Sequence, residues 1–334
     1  MNVFYPAPAN NTIVDQLNDY VFQGVKISSE AEDVPDYEIL IEGRPTRDML
    51  LRSGNLKTVV VPFAGVPDAT LTLVRQFQPL QLCNLHHNAS DTAELALALL
   101  LACSRSVVSL DQKLRKGDWS PRYLPSNSVM LKGKTALILG YGHIGKHVAR
   151  ACHGLGMNVV ALRKRVQMIE IEHYAEVHPI AGLRPLLPEA DVIFVTVPRT
   201  AETLGLLGPG EIDLIRPGAI LINVARADIV DEHSLYHALS SGKLHSAGLD
   251  VWYQYPTDKG EKGVPGYFEM PESALHTFPS ALPFHELENV VMSPHRGGTS
   301  KDTESSRIEH LAALLNAVAE GKTTPNLVDI EIGY

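Results

Sequence analysis

A closely spaced set of glycines is the first feature of this sequence that indicates chemistry. An apolar, strand-like run precedes the set and a helix-like pattern follows it. In such a unit the first glycine permits a tight turn, the second lets the backbone approach a pyrophosphate, and the third lets the helix pack on the strand. This context predicts a dinucleotide site rather than a chance glycine spacing. The motif consists of Gly140, Tyr141, Gly142, His143, Ile144 and Gly145.

The end of the next predicted strand, 159–162, indicates which dinucleotide would bind. An acidic residue normally stands there, about 20 residues past the glycines, and binds the ribose 2′-hydroxyl. This chain has Arg163, Lys164 and Arg165 instead. Because these cations would attract a 2′-phosphate through charge-assisted hydrogen bonds, the sequence favours NADP(H), with NAD(H) as the alternative. A solvated basic turn is the competing interpretation.

Two further side chains have the chemistry of anion recognition and proton transfer. Arg226 follows a buried-strand pattern and carries a planar, permanently charged guanidinium that suits a carboxylate. His295 lies in a Ser-Pro-His turn, and imidazole titrates near neutral pH, as a general acid–base group must. Taken alone, a surface ion pair and a structural histidine are the better explanations of these residues.

Composition limits the function classes. The chain has 334 residues, of which 45% are hydrophobic and 20% charged, with a net charge of −9. These values are typical of a globular protein of about two domains and argue against a nucleic-acid-binding scaffold. Cys83, Cys103 and Cys152 lack metal-ligand spacing, so we predict reduced thiols and no metal site. With no predicted signal peptide or membrane span, we expect a cytoplasmic protein.

Strand-like and helix-like segments alternate along most of the chain, which predicts an α/β fold with parallel sheets. One long helix is predicted from Asp91 into Val108, and a final one from about residue 302 to 320. The stretch 253–288 is rich in proline and aromatic residues without a regular period, and it predicts a long ordered loop.

Four separated blocks, in this order, resemble the D-isomer-specific 2-hydroxyacid dehydrogenase family. The glycine motif is similar to its cofactor turn, and 221–226 resembles the strand that ends in its substrate-binding arginine. The segment 247–251 resembles the strand whose aspartate meets the nicotinamide, and 293–297 the block with the catalytic histidine. The stretch 191–198, with Thr203 beyond it, is similar to another cofactor-contacting segment.

The resemblance implies a Rossmann-type, doubly wound parallel-sheet cofactor domain, 92–293, inserted in a smaller flavodoxin-like α/β substrate domain, 1–91 and 294–334. It also implies a homodimer through the cofactor domains. Backbone N–H groups of Ala64 and Gly65 would bind the substrate carboxylate together with Arg226. The implied cofactor contacts are Gly140, Gly142, His143, Ile144, Gly145, Arg163, Lys164, Arg165, Val197, Pro198, Thr203, Val224, Ala225, Asp250, His295 and Gly297.

One departure from the family concerns the catalytic histidine. The family pattern has a glutamate five residues after the cofactor aspartate, but this chain has Tyr255 there. The tyrosine can orient the ring of His295 without adding negative charge. Asp258 or Glu261 could otherwise replace the glutamate.

The implied activity is that of an NAD(P)-dependent 2-hydroxyacid dehydrogenase or 2-keto acid reductase. Hydride transfer at the substrate C2 needs a polarised keto oxygen, supplied by Arg226, and a proton, supplied by His295. Two alternatives keep the fold: a dehydrogenase of another small anion, such as formate or phosphite, and a non-catalytic dinucleotide-sensing protein. The sequence does not name the acid or the physiological direction.

Overall fold

The computed structural model describes residues 1–6, 11–256 and 272–334. These residues divide into two compact units. Unit 1 is Met1–Asp91 with Gly298–Tyr334, and unit 2 is Thr92–Gly297. The second boundary therefore lies at Gly297, later than the residue 293 that the sequence analysis proposed. The reason is that the Asp250 carboxylate accepts backbone hydrogen bonds from Arg296 and Gly297, which ties this segment to unit 2.

The N-terminal part of unit 1 alternates strands and helices. Its described strands form one five-stranded parallel sheet, and runs such as Thr58–Val61 are buried throughout, as strands covered on both faces should be. The elements are β1 (Asn2–Phe4), α1 (Asn11–Tyr20), β2 (Lys26–Ser28), β3 (Ile39–Ile41), α2 (Arg47–Arg52), β4 (Thr58–Val61), α3 (Asp68–Val74) and β5 (Gln81–Asn84). The sheet order β2-β1-β3-β4-β5 is that of flavodoxin-like folds.

Unit 2 begins inside a helix and then builds a larger sheet. Its helices are α4 (Ala89–Arg105), α5 (Val107–Leu114), α6 (His143–Gly154), α7 (Leu183–Leu186), α8 (Pro209–Leu214), α9 (Glu232–Ser240) and α10 (Glu272–Leu275). Its strands are β6 (Thr135–Leu139), β7 (Asn158–Arg163), β8 (Glu170–Glu172), β9 (Ala175–Pro179), β10 (Val192–Val195), β11 (Ile220–Asn223), β12 (Ser246–Leu249) and β13 (Val290–Met292).

The described strands of unit 2 lie in the order β13-β12-β11-β10-β6-β7-β9-β8. The chain moves outward from β6 in one direction through β7 and β9, and in the other from β10 to β13, so the strand order reverses between β6 and β10. This reversal is the switch point at which doubly wound sheets bind dinucleotides. The two sheets confirm the predicted fold class.

Alternate side chains of β6 lie in two different buried clusters, because helices cover both faces of this sheet. Ala136 and Ile138 belong to one buried cluster, which also contains Val148 of α6. Leu137 and Leu139 belong to the other, which also contains Leu235 of α9. Because both faces are covered, the strand reads as a continuous apolar run in the sequence.

The C-terminal helix α11 (Thr303–Ala319) returns the chain to unit 1. Its buried Leu311 and Leu315 pack in one cluster with Val3 and Ile39 of the sheet. Beyond it, the Val328 backbone N–H donates to Leu82 of β5 at 2.8 Å, so the tail is tied to the sheet edge. The predicted final helix is thus found, within a residue at each end.

Several local features differ from the sequence predictions. The helix predicted from Asp91 into Val108 is broken at Ser106, whose φ of 52° is outside the helical region. Strands β8 and β9, which pair antiparallel with each other, were not predicted. The loop predicted for 253–288 contains the short helix α10, and part of it lies outside the described residues.

Within the described residues, no single helix has the length and apolarity of a membrane span, although α4 and α5, bent by 64°, meet that criterion as a pair.

Candidate active site

The glycine motif forms the turn between β6 and α6, and two of its positions accept only glycine. Gly140 has a φ of +105°, and a Cβ atom there would lie 2.8 Å from the Val197 backbone nitrogen. A Cβ atom on Gly145 would lie 2.0 Å from the Gly140 carbonyl oxygen, so any side chain would separate helix from strand. Gly142 caps α6 without a side chain, and exposed His143 and half-buried Ile144 follow in its first turn.

This turn leaves the first N–H groups of α6 without acceptors from the helix itself, directed away from its N-terminus. Together with the positive end of the helix dipole, they suit a phosphate group. The residues present therefore fit a dinucleotide pyrophosphate.

The segment after β10 completes this edge of the sheet. The Thr196 hydroxyl donates to the Gly140 carbonyl at 2.8 Å, which holds Val197 against the glycine turn. The Thr203 hydroxyl donates to the Pro198 carbonyl at 2.6 Å and closes the next loop. Val197, Pro198 and Thr203 are thus placed at the carboxyl ends of β6 and β10, beside the switch point.

The basic turn after β7 is not a free cationic patch. The Arg163 guanidinium donates to Glu172 and to Glu170, at 2.7 Å each, and both carboxylates lie on β8. Lys164 pairs with Glu202 at 2.7 Å, while the side chain of Arg165 is exposed. Sequence reasoning missed Glu170 and Glu172 because nothing in the local pattern indicated a strand that would bring them back to Arg163.

Asp250 follows β12 and organises the loop that contains the histidine. Its carboxylate is 1% exposed and accepts three hydrogen bonds: from the Ser293 hydroxyl at 2.5 Å and from the N–H groups of Arg296 and Gly297 at 2.8 Å. A Cβ atom on Gly297 would lie 2.8 Å from this carboxylate. Three donors compensate the buried charge and hold the 293–297 loop in place.

His295 sits in this loop with a φ of 57°, a region that non-glycine residues seldom adopt. Its Nδ1 lies 2.9 Å from the Tyr255 hydroxyl oxygen. The same oxygen accepts the Trp252 backbone N–H at 3.2 Å, and the Trp252 indole donates to the Ser293 carbonyl at 2.8 Å. The tyrosine predicted to neighbour the histidine therefore does so. Sequence reasoning missed the role of Trp252 in placing both.

The electrostatic surroundings of His295 are set mainly by burial. Desolvation lowers the pKa of His295, the positive charge of Arg226 lowers it further, and the Asp250 carboxylate acts in the opposite direction. The neutral imidazole is therefore favoured over a wider pH range than in water.

Arg226 follows β11 in a loop shaped by Asn223. The Asn223 side chain accepts the Ala225 N–H at 3.0 Å and donates to the Arg226 carbonyl at 2.9 Å, which fixes the path of Val224 and Ala225. The half-buried Arg226 guanidinium donates to the Ala225 carbonyl at 2.7 Å. Unit 2 thus brings a fixed cation into the electrostatic range of the imidazole.

The remaining predicted substrate residues lie in unit 1. Ala64 and Gly65 form the turn after β4, and the Asn84 side chain donates to the Ala64 carbonyl at 2.6 Å. They stand at the carboxyl end of that sheet, where open α/β folds bind ligands. Asp258 and Glu261, the proposed substitutes for Tyr255, lie outside the described residues.

Comparison with known proteins identifies the family. A sequence model described as the NAD binding domain of D-isomer specific 2-hydroxyacid dehydrogenases matches residues 97–297. D-3-phosphoglycerate dehydrogenase of Archaeoglobus fulgidus is 28% identical over 343 residues, covering 99% of this chain and 59% of that protein. Glyoxylate reductase of Thermococcus litoralis is 35% identical over 247 residues, covering 72% of this chain and 67% of that protein. The matches thus span between 59% and 67% of these two curated relatives.

Among solved structures, the NADPH-dependent glyoxylate/hydroxypyruvate reductase of Sinorhizobium meliloti, in complex with NADP and sulfate, is 19% identical. Its TM-score is 0.76, and the alignment covers 100% of this chain and 99% of that one. At this identity the likeness shows a shared fold. The family model, by contrast, matches more than half of the 334 residues, in a stretch that contains the glycine turn, Arg226 and His295. The chain belongs to the D-isomer specific 2-hydroxyacid dehydrogenase family.

Proposed function

We propose that this protein is an NAD(P)-dependent 2-hydroxyacid oxidoreductase that reduces a small 2-keto acid. The observation that carries the proposal is that unit 2 gathers Arg226, Asp250, Tyr255 and His295 around one loop, on the same sheet as the glycine turn. A fixed guanidinium and a partly desolvated imidazole are the two groups that reduction of a keto acid requires.

Each residue has a defined task in this proposal. A bound nicotinamide supplies the hydride. Arg226 binds the substrate carboxylate and polarises the keto oxygen, while the N–H groups of Ala64 and Gly65 bind the carboxylate as well. His295 gives a proton to the keto oxygen, and Tyr255 orients the imidazole ring. Asp250 acts through its three hydrogen bonds, which keep the His295 loop in place, and we expect it to meet the nicotinamide of a bound cofactor.

For the cofactor we favour NADP(H) over NAD(H). The support is the basic turn Arg163, Lys164 and Arg165, together with the NADP bound in the Sinorhizobium meliloti structure. Glu170 and Glu172 compete for the same guanidinium, so we expect the preference to be modest. The other predicted contacts, Val197, Pro198, Thr203, Val224 and Ala225, line the carboxyl ends of the strands around the switch point.

We also propose a homodimer formed through unit 2, in the cytoplasm. The support for the dimer is a group of exposed large apolar side chains on α5 and the segment after it, which a second copy of unit 2 would cover. They are Val107, Leu110, Leu114, Trp119, Tyr123 and Leu124. The support for the cytoplasm is that Cys83, Cys103 and Cys152 are free buried thiols, whose pKa burial raises to about 12.

The decisive experiment is a substrate screen that follows the absorbance of the reduced nicotinamide. Glyoxylate, hydroxypyruvate and pyruvate are offered with NADPH and with NADH, and formate and phosphite with the oxidised cofactors. We expect turnover of at least one keto acid, abolished in Arg226→Ala. Turnover of formate or phosphite alone would assign a different small anion, and cofactor binding without any turnover would indicate a dinucleotide-sensing protein.

A further inference from the structure

The hydroxyl group of Tyr255 lies between a donor of the backbone and a ring nitrogen of the histidine. The Trp252 N–H donates to the Tyr255 oxygen at 3.2 Å, and His295 Nδ1 is 2.9 Å from the same oxygen. The Trp252 indole, bonded to the Ser293 carbonyl at 2.8 Å, holds this backbone beside the histidine loop. The three groups thus form one chain of hydrogen bonds whose direction decides where the imidazole proton sits.

The direction follows from the chemistry of a phenol. A phenol oxygen has one good acceptor lone pair in the ring plane, because its second lone pair is delocalised into the ring. The Trp252 N–H is a donor to this oxygen, so the oxygen already acts as an acceptor and its hydroxyl hydrogen is the group that faces Nδ1. We infer that Tyr255 donates to His295 Nδ1 and thereby places the proton of the neutral imidazole on Nε2.

The charges that face this pair agree with the assignment. Arg226 disfavours a second positive charge on His295, whereas the nearby Asp250 carboxylate is already occupied by three donors. If the ring were protonated, its Nδ1–H and the hydroxyl hydrogen of Tyr255 would face each other. The phenol would then have to turn its hydrogen away. Both effects favour the neutral ring, in the same direction as the lowered pKa of His295.

The consequence rests on the proposed function. With the proton on Nε2, the neutral ring donates a hydrogen bond to a keto oxygen but cannot accept the proton of a hydroxyl group. A glutamate at position 255 would do the opposite, because it accepts Nδ1–H and leaves Nε2 as a base. Tyr255 is therefore a positioning residue that makes the resting site a donor, and so favours bound keto acid over hydroxy acid.

The test is direct and needs no substrate. Heteronuclear NMR on protein with isotope-labelled histidine reports which imidazole nitrogen carries the proton at a pH well above the His295 titration, and the His295→Gln spectrum assigns the signals. We expect a protonated Nε2 and an unprotonated Nδ1 in the wild type, reversed in Tyr255→Glu. Tyr255→Phe is the matched control, and it should lose the wild-type preference for a proton on Nε2. A protonated Nδ1 in the wild type overturns the inference.

A second measurement separates this inference from the proposed function. The affinity for oxamate, a non-reacting analogue of a 2-keto acid, is measured with cofactor bound on both sides of the His295 titration. In the wild type we expect the oxamate affinity to be retained at the higher pH. In Tyr255→Glu it should fall about tenfold, because the hydrogen bond from Nε2–H to the keto oxygen of oxamate is lost. An equal fall in the wild type overturns the inference even if keto acids are turned over. A protein that turns over no acid but shows Nε2–H disproves the proposed function alone.

Discussion

At the scale of single residues, the chemistry depends on the burial of His295 and on the charges of Arg226 and Asp250 near it. Arg226 is the cation that lowers the pKa of His295, and the Asp250 carboxylate is occupied by Ser293, Arg296 and Gly297. Tyr255, 43% exposed, adds a hydrogen bond but no charge. The acid–base behaviour of the site should therefore follow from burial and from Arg226, and it can be changed by single substitutions.

The first prediction concerns the catalytic pair. We expect His295→Ala to lose about 10²–10⁴-fold in kcat, because it removes the general acid, with a smaller change in KM. Arg226→Ala should raise KM and lower kcat together, because it removes both substrate binding and polarisation. As a control, both variants should still bind the dinucleotide in a fluorescence titration, because the glycine turn is untouched. Turnover near the wild-type rate in His295→Ala would disprove the assignment.

The second prediction concerns the pH dependence of reduction. Reduction needs the protonated imidazole, so kcat/KM is high below the pKa of His295 and falls as pH rises through it. Because burial and Arg226 lower that pKa, the midpoint of the fall should lie below pH 6.5, the ordinary pKa of histidine. Tyr255→Glu adds a negative charge, which raises the pKa of His295 and moves the fall to higher pH. At a pH above the His295 pKa of both proteins, the variant should have a kcat/KM about tenfold higher than the wild type. Tyr255→Phe removes a hydrogen bond that favours the neutral ring but adds no charge, so it should move the fall upward much less than Tyr255→Glu does. A wild-type limb well above neutral pH would mean that another group, such as Asp258, supplies the charge.

At the scale of elements, the β8–β9 hairpin controls the basic turn. Its antiparallel pairing places Glu170 and Glu172 within 2.7 Å of the Arg163 guanidinium, and Lys146 of α6 lies 3.6 Å from Glu172. A 2′-phosphate would therefore meet a cation already paired with carboxylates. The hairpin, rather than the turn alone, should set the cofactor preference.

The third prediction follows from this hairpin. Replacing both carboxylates, Glu170→Gln with Glu172→Gln, should increase the ratio of NADPH to NADH affinity about tenfold, because the freed guanidinium can bind the 2′-phosphate. Glu189→Gln, an exposed glutamate elsewhere on unit 2, removes a similar charge and should leave the ratio unchanged. Arg163→Asp combined with Arg165→Ala should abolish any NADPH preference. If none of these changes alters the ratio of NADPH to NADH affinity, the basic turn does not discriminate between the two cofactors.

At the scale of the whole molecule, the chain combines two units with different sheet orders. Unit 1 has the five-stranded flavodoxin-like order, and unit 2 has the larger doubly wound sheet with its switch point at β6 and β10. Unit 2 also carries the exposed apolar surface of α5 and the segment after it. That surface is the feature of the molecule that a second subunit would explain.

The fourth prediction tests that surface. Leu110→Glu with Leu114→Glu should shift the protein from dimer to monomer, because a dimer would bury two uncompensated charges on each subunit. Light scattering after size-exclusion chromatography measures the mass. Leu51→Glu, an equally drastic change at an exposed leucine of α2 in unit 1, is the control and should not alter the mass. A wild-type protein that is monomeric at all concentrations would disprove the dimer.

Local pattern was sufficient for many of the elements and for the glycine turn. The run 136–139 is apolar throughout because its side chains enter two cores, and Gly140 and Gly145 are glycines because neighbouring backbone leaves no room for a Cβ atom. Such constraints act within one strand–turn–helix unit, so they are visible in a short stretch of sequence. The final helix was predicted for the same reason, since its apolar face repeats with the helical period.

Only the tertiary structure decided which distant residues meet. Glu170 and Glu172 reach Arg163 because an edge strand turns back. Trp252 bonds Tyr255 through its backbone N–H and bonds Ser293, far along the chain, through its indole. The break at Ser106 likewise interrupts a stretch whose composition favours a continuous helix. The sequence determined the fold class and the residues available for chemistry, because periodicity and backbone sterics are local. The charge state and orientation of those residues depend on hydrogen bonds between segments far apart in the chain, which no local pattern contains.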